Sequence, residues 1–442
     1  LGGFLFGFDI GVIGGCIAMD SFNDVFPIKG DELLTGFVVS SLTIGCFVGA
    51  LLTSYLADRL GRKISCISGA AIFTLGALLQ TVARQIEVLI AGRAIAGLSI
   101  GILSTVVPLY LSEVAPKEQR GRLVTAQQLT VTIGILISFL VNFGTSYLEG
   151  EQTFRIPFGI QMVFSVGMMG AMLFLPYSPR WLIAHGRTKE AETALRRVRD
   201  NVGTAIQDEI DEIQDSIRIE KEVGDSGWKG LLANGMWRRV AIGVLLQMFQ
   251  QLTGINVVMY YSNLILESAG FSSLAVKLLG TALTGLVNVL MTLPGMYFID
   301  RAGRRPLLLS GASIMGVALT ILAVLVAVYE PTGFSNHAIP YVCLVMMCLF
   351  VAGFAYSWGP IGWVIPSEIY PLRIRAKAVA LTTASNWLFN ILIGLLSPLL
   401  MALIGWRFYL ILAAFLVIMT AFVYFFVPET KGKSLEEIDA LF

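Results

Sequence analysis

Residues 38–57, VVSSLTIGCFVGALLTSYLA, stay apolar for 20 positions and stop at DRLGRK (58–63). Residues 280–299, GTALTGLVNVLMTLPGMYFI, do the same and stop at DRAGRR (300–305). About 20 apolar residues in a helix cross a bilayer core of roughly 30 Å, so each stretch reads as a membrane span ending in a charged loop. The two loops are 242 residues apart and are not the only repeat. Ser112-Glu113-x-x-Pro116, followed by Arg120 and Arg122, returns 255 residues later as Ser367-Glu368-x-x-Pro371 with Arg375 and Lys377. Pro176 and Pro428, at the ends of two further apolar runs, are 252 apart. Repetition at nearly one offset means two homologous halves, related by an axis along the membrane normal. That is a transporter architecture, which receptors and channel subunits do not usually show.

Working outward, apolar runs number twelve: about 1–19, 33–57, 64–82, 86–111, 123–147 and 156–176, then 238–264, 274–299, 306–329, 340–366, 378–403 and 406–427. The expected fold is an all-α membrane protein with an N-terminal half at 1–176, a charged amphipathic linker at 177–236, a C-terminal half at 237–427 and a tail at 428–442. Composition agrees: of 442 residues 56% are hydrophobic and 14% charged, at a mean hydropathy of +0.76. A soluble core could not hide that much apolar surface, and disorder needs more charge. A net charge of +1 leaves no basic field for nucleic acid. Five cysteines without paired spacing and two histidines give no disulfide framework and no metal centre. No nucleophile–base pair marks an enzyme, and no phosphate-binding loop ties the chain to ATP, so no cofactor is expected.

Loops after spans two, four, eight and ten carry twelve lysines and arginines, against five on the other side. By the positive-inside rule those loops, the linker and both termini face the cytoplasm. The chain opens at Leu1 inside the first span without methionine, so a cytoplasmic tail is expected ahead of it, and no cleavable signal peptide is legible. Topology alone needs only positive charge, yet each repeated loop also keeps an acid and a glycine. Asp58, Arg62, Glu113 and Arg122, with Asp300, Arg304, Glu368 and Arg375, are therefore expected to form a cytoplasmic gate, with ion pairs that bridge the halves and latch that side shut.

Polar residues inside spans are costly unless paired or facing water. Span seven places Gln247, Gln250, Gln251 and Gly254 on one helical face, followed by Asn256 where a local break is expected. Gln127 and Gln128 in span five, Asn288 in span eight, and Thr383, Asn386 and Asn390 in span eleven add amides and a hydroxyl. Amides both donate and accept, as a sugar hydroxyl requires. Near absence of fixed charge points to a neutral, polyhydroxylated ligand, with Trp363 and Trp387 offering flat faces to a sugar ring. For any one amide, an interhelical hydrogen bond is the competing reading. The charged exception is Asp9 in span one, for which Arg93 in span four is the natural counter-ion. Protonation of Asp9 would free Arg93, as a proton-coupled switch requires; a permanent structural pair is the alternative.

These motifs resemble the sugar porter family of the major facilitator superfamily along the whole chain. They stand here as Gly61-Arg62-Lys63, Arg120-Gly121-Arg122, Pro176-Tyr-Ser-Pro-Arg-Trp-Leu182, Gln250-Gln251-Leu-Thr-Gly-Ile-Asn256, Asp300-Arg-Ala-Gly-Arg-Arg305, Gly359-Pro-Ile-Gly-Trp363 and Pro428-Glu-Thr-Lys-Gly432. The resemblance departs at Tyr177, where the family has Glu, leaving one acid of the implied cytoplasmic network without a match. It implies a sugar site at Gln128, Gln250, Gln251, Asn256, Asn288, Trp363, Asn386 and Asn390. It also implies proton coupling at Asp9 and Arg93, since passive carriers of the family tend to have Asn in span one. The disulfide-linked lid of plant-type symporters is absent, because residues 20–32 are short and lack cysteine. The expected function is alternating-access transport of a neutral monosaccharide such as glucose with a proton, by a monomer in the lipid bilayer of the plasma membrane. A passive hexose, pentose or polyol uniporter, or a non-transporting sugar sensor, are the alternatives.

Overall fold

The computed structural model describes residues 1–115, 120–199, 204–223, 228–232, 235–299, 301–334, 336 and 338–431. Every statement below concerns those residues. The first half comprises α1 (Gly2–Ile17), α2 (Asp20–Val25), α3 (Glu32–Leu60), α4 (Arg62–Val82), α5 (Ile86–Val114), α6 (Arg120–Thr145) and α7 (Gln152–Phe174). Three polar-faced helices follow: α8 (Pro179–Ala184), α9 (Thr188–Val198) and α10 (Thr204–Val223). The second half comprises α11 (Met236–Leu252), α12 (Ile255–Ser268), α13 (Leu274–Phe298), α14 (Arg304–Tyr329), α15 (Ile339–Ala355), α16 (Trp358–Ile369), α17 (Leu372–Ile404) and α18 (Arg407–Phe426).

Eleven of these helical stretches are long and apolar enough to cross a membrane, and α1, with 16 residues, is a shorter apolar helix beside them. The match to twelve expected runs requires α11–α12 to count as one span and α15–α16 as another, because both are broken. At the first break Gly254 takes φ +87°, a left-handed conformation that costs other residues a steric clash, and Thr253 caps the restart by accepting the Ile255 N–H at 3.1 Å. At the second, Ser357 leaves helical geometry at φ −125°, ψ −86°. The surface is apolar, as a lipid solvent demands: Val163, Phe174, Val417 and Phe425 are 69–74% exposed.

Within the first half α3 and α4 pack on α5, and α1 packs on α6; within the second, α14 packs on α15 and α18, and α11 on α17. The halves meet through α3 against α17, α6 against α13 and α1 against α12. These seams lie at the end opposite the basic loops. There Ser40 Oγ donates to Ile391 O at 3.3 Å and Asn263 Nδ2 donates to Gly14 O at 2.9 Å. That end is closed. The two repeated loops place Gly61 at φ +81° and Gly303 at φ +96°, so each motif keeps glycine for a backbone reason, independent of its charges.

Candidate functional site

Pro366 lacks the N–H that would bond Gly362 O within α16, and glutamines from α11 donate to this carbonyl and to two others in the first turn of that helix. Gln250 Nε2 donates to Trp358 O at 2.7 Å and Gly359 O at 3.1 Å, and Gln247 Nε2 donates to Gly362 O at 2.6 Å. A Cβ at Gly362 would lie 2.4 Å from Gln250 Nε2, so the Gly-Pro-Ile-Gly run lets α16 backbone approach these amides. Asn386 of α17 completes the network, donating to Gln250 Oε1 at 2.8 Å and to Gln247 Oε1. Gln250 is thereby spent at both ends of its amide, which makes it a positioning residue here.

The remaining site residues keep polar atoms in reserve. Asn256 Nδ2 donates to Gln251 Oε1, leaving Gln251 Nε2 and Asn256 Oδ1 without a partner among the described residues. Asn390 Oδ1 accepts from Tyr260 OH at 3.2 Å, which leaves its NH2 group free. The side-chain amides of Gln128 on α6 and Asn288 on α13 make no hydrogen bond among the described residues. Those two helices meet across the halves, where a Cβ at Gly285 would lie 2.9 Å from Phe139. Trp363, on α16, is half-buried, whereas Trp387 is buried edge-on against Phe6 at 5.4 Å between ring centroids. Hydrogen bonds join Gln247, Gln250 and Asn386, Gln251 to Asn256, and Asn390 to Tyr260, while Gln128 and Asn288 stand on two helices that meet across the halves. None of these residues holds a fixed charge.

Asp9 and Arg93 come together across 84 residues of sequence, both fully buried. Arg93 Nη1 donates to Asp9 Oδ1 at 3.3 Å, a long contact for opposite charges. Two carbonyls of α3 hold the guanidinium in place: its Nε donates to Val38 O at 2.8 Å and Nη2 to Val39 O at 3.4 Å. Asp9 Oδ2 has no hydrogen-bond partner. Arg93 is thus held by α3 as well as by Asp9, and Asp9 Oδ2 is buried without a partner among the described residues. The α3 carbonyls carry no side-chain signature, so nothing in the sequence marked them.

At the basic end the repeats fold alike. Arg62 pairs with Glu113 at 3.0 Å and Asp58 at 3.4 Å, and Ser178 Oγ donates to Glu113. Arg304 pairs with Glu368 at 2.9 Å, and Thr430 Oγ1 donates to Glu368 at 2.6 Å. Both pairs close within their own half, where the sequence reading expected bridges between halves. Asp300 and the side chains of Arg122 and Arg375 lie outside the described residues. The copies differ at the residue before the Ser178 or Thr430 hydroxyl. Glu429 accepts the backbone N–H groups of Arg304 and Arg305, each at 3.0 Å, capping α14. Burial alone would push its carboxyl up, but the N–H groups of Arg304, Lys431 and Arg305 outweigh that and hold it below the usual carboxylate range. Its counterpart Tyr177 instead lies under Lys63 Nζ, 5.0 Å from the ring centroid, a cation–π contact in place of an anionic cap.

A family model described as "Sugar (and other) transporter" matches residues 1–442. A galactose-proton symporter of Escherichia coli K12 is 38% identical over 441 residues, covering 99% of this chain and 92% of that protein. A glucose transporter of Aspergillus flavus is 36% identical, covering 100% of this chain and 88% of its own length. Among solved structures, the inward-open xylose transporter XylE of E. coli superposes with a TM-score of 0.82 at 30% identity, covering 100% of this chain and 97% of that one. The proton:xylose symporter XylE bound to 6-bromo-6-deoxy-D-glucose gives 0.81 at 32% identity, with 100% and 96% covered.

Proposed function

Because the chain belongs to the sugar (and other) transporter family, we propose that it carries a neutral monosaccharide, a hexose such as glucose, across a membrane together with a proton. The observation behind this reading is the pairing of two unlike sites. An uncharged amide constellation serves the sugar, and one buried carboxylate–guanidinium pair with an unpartnered oxygen serves the proton. Galactose and glucose carriers among the relatives support the substrate class. Symporters among them support the coupling.

In this mechanism the basic loops are cytoplasmic and the closed end is extracellular, with both termini inside and the protein working as a monomer in the plasma membrane. Residues 177–236 link the halves on the cytoplasmic side, and residues 428–442, of which 432–442 lie outside the described residues, are the tail there. When the outer end opens, a proton reaches Asp9 Oδ2 and weakens the pull on Arg93, which stays on Val38 O and Val39 O. Sugar hydroxyls engage Gln128, Gln251, Asn256, Asn288 and Asn390, while Gln250 and Asn386 hold α16 and Trp363 in position. Closure over the sugar lets the gate groups at Asp58, Arg62 and Glu113, and at Arg304 and Glu368, exchange partners with Arg122, Asp300 and Arg375 as the halves rock. Uptake of radiolabelled glucose into proteoliposomes, with and without an inward proton gradient, tests this. Gradient-driven accumulation is expected. Equilibration that ignores the gradient would make the protein a uniporter, and binding without uptake would make it a sensor.

A further inference from the structure

The helix that carries Asn256 does more than present that amide. Seven residues on, Asn263 of α12 crosses to the other half and donates through Nδ2 to Gly14 O of α1 at 2.9 Å. Gly14 is near the end of α1, where the last carbonyls have no helical donor. The Ala18 N–H goes to Gly15 O and Cys16 O instead. Asn263 is therefore a cap on a helix of the opposite half. Its Oδ1 stands 3.3 Å from Thr281 Oγ1, whose one proton also has Lys277 O at 3.0 Å as an acceptor, and Ser262 Oγ lies 2.9 Å from the same hydroxyl. Asn263, Thr281, Ser262 and Lys277 are buried, and Gly14 has no side chain to expose. Close approach of the backbones completes the contact, because a Cβ on Gly14 would lie 2.6 Å from Tyr260 O.

We infer that Asn263 is a positioning residue for transport: it seals the outer end by capping α1, and so ties the helix that presents Asn256 to the helix that carries Asp9. Both connections are short. Tyr260, three residues before Asn263, bonds Asn390 of the sugar site, and Gly14 stands five residues after Asp9 on α1. Between Asn256 and Asn263 the helix departs from regular geometry at Tyr261, φ −122° and ψ 20°, the point at which α12 can bend. Closing α12 over a sugar thus brings Asn263 onto α1, and opening the outer end requires that this bond break. No proton, electron or covalent bond is exchanged in the step.

This inference rests on the transport reading, and its test is chosen to be independent of sugar and proton. Ser40→Cys places a thiol in the outer seam, where Ser40 is 1% exposed while the halves are closed. Its labelling by a membrane-impermeant maleimide reports opening. Interhelical hydrogen bonds in membranes are worth about 0.6 and at most about 1.7 kcal/mol. Adding Asn263→Leu is therefore expected to speed labelling about threefold, and at most about eighteenfold, and Asn263→Gln to restore most of the protection. In transport, external KM is expected to shift while sugar binding to the inward-facing carrier holds. Should Asn263→Leu not be recovered folded, Thr281→Val removes the hydroxyl beside Asn263 Oδ1, together with its bonds to Lys277 O and Ser262 Oγ, leaves the amide on Gly14 O in place, and is expected to speed labelling about twofold. Labelling unchanged by both variants would overturn the inference. A wild type that merely equilibrates sugar would overturn symport and leave the seal intact.

Discussion

A methyl group at Gly36 is expected to hold the outer end open. Gly36 lies on α3 in the seam between halves, where a Cβ would stand 2.2 Å from Leu395 O and 3.0 Å from its carbonyl carbon. Ordinary contact needs more than 3.4 Å, so the two helices must part by about 1 Å, and both contacting atoms are backbone. Overpacking of this kind costs about 1–3 kcal/mol. The cost falls only on the closed-outside state, because the contact crosses the halves and vanishes when they separate. An equilibrium displaced by that amount moves about fivefold to 150-fold. Spin labels at Leu33 and Leu403, both exposed near the outer ends of α3 and α17, would report it as a transfer of population to longer distances in pulsed dipolar spectroscopy. Gly7→Ala is the control: its Cβ would stand 1.9 Å from Val131 O, as severe a clash, but inside one half. That variant is expected to lower folding yield without moving the distance distribution. A Gly36→Ala distribution superimposable on wild type, with the protein folded, would refute the reasoning.

Three further outcomes follow from the same geometry. Glu113 is 6% exposed and paired with Arg62, so Glu113→Gln or Arg62→Leu alone is expected to cost about 2–4 kcal/mol in denaturation, and the double variant less than the sum. Gln251→Ala removes an unpaired NH2 group from the proposed sugar site, and the acceptor of Asn256 Nδ2 with it, and is expected to raise KM about tenfold. Gln250→Ala strips two backbone carbonyls of their donor and is expected to lower the melting temperature as well. Glu429 has a depressed carboxyl, so its contribution is present above the ordinary carboxylate range and is lost as pH falls through its folded value. Glu429→Gln is accordingly expected to destabilise α14 by about 1 kcal/mol at neutral pH and to converge with wild type in acid, as thermal unfolding against pH would show.

Much of the fold was legible because lipid imposes long apolar runs on any chain that crosses it, and because duplication repeats Asp-Arg-x-Gly-Arg at a fixed offset. Asp9 and Arg93 were legible for a related reason: a buried charge needs a partner, and few were available. The break at Ser357 had a signal in Gly359-Pro360, since Pro360 lacks the N–H that would bond Tyr356 O, but apolar length alone reads 340–366 as one unbroken run. The gate residues were identifiable by type, yet their pairing was not. Arg62 and Glu113 sit on neighbouring helices of one half, a fact of packing that charge patterning does not contain. Asn263 escaped notice because a single amide in a span reads as an ordinary interhelical bond. Only the identity of its acceptor, a carbonyl of the opposite half, gives it significance.

Coupling of proton to sugar at Asp9 stands or falls with Asp9→Asn. Substitution keeps the shape and one oxygen for Arg93 but removes the charge that a proton would neutralise. Proteoliposomes carrying the variant should lose gradient-driven accumulation of glucose while retaining exchange of internal for external sugar. Accumulation at the wild-type ratio in Asp9→Asn would contradict the account and leave the Asp9–Arg93 pair a structural brace.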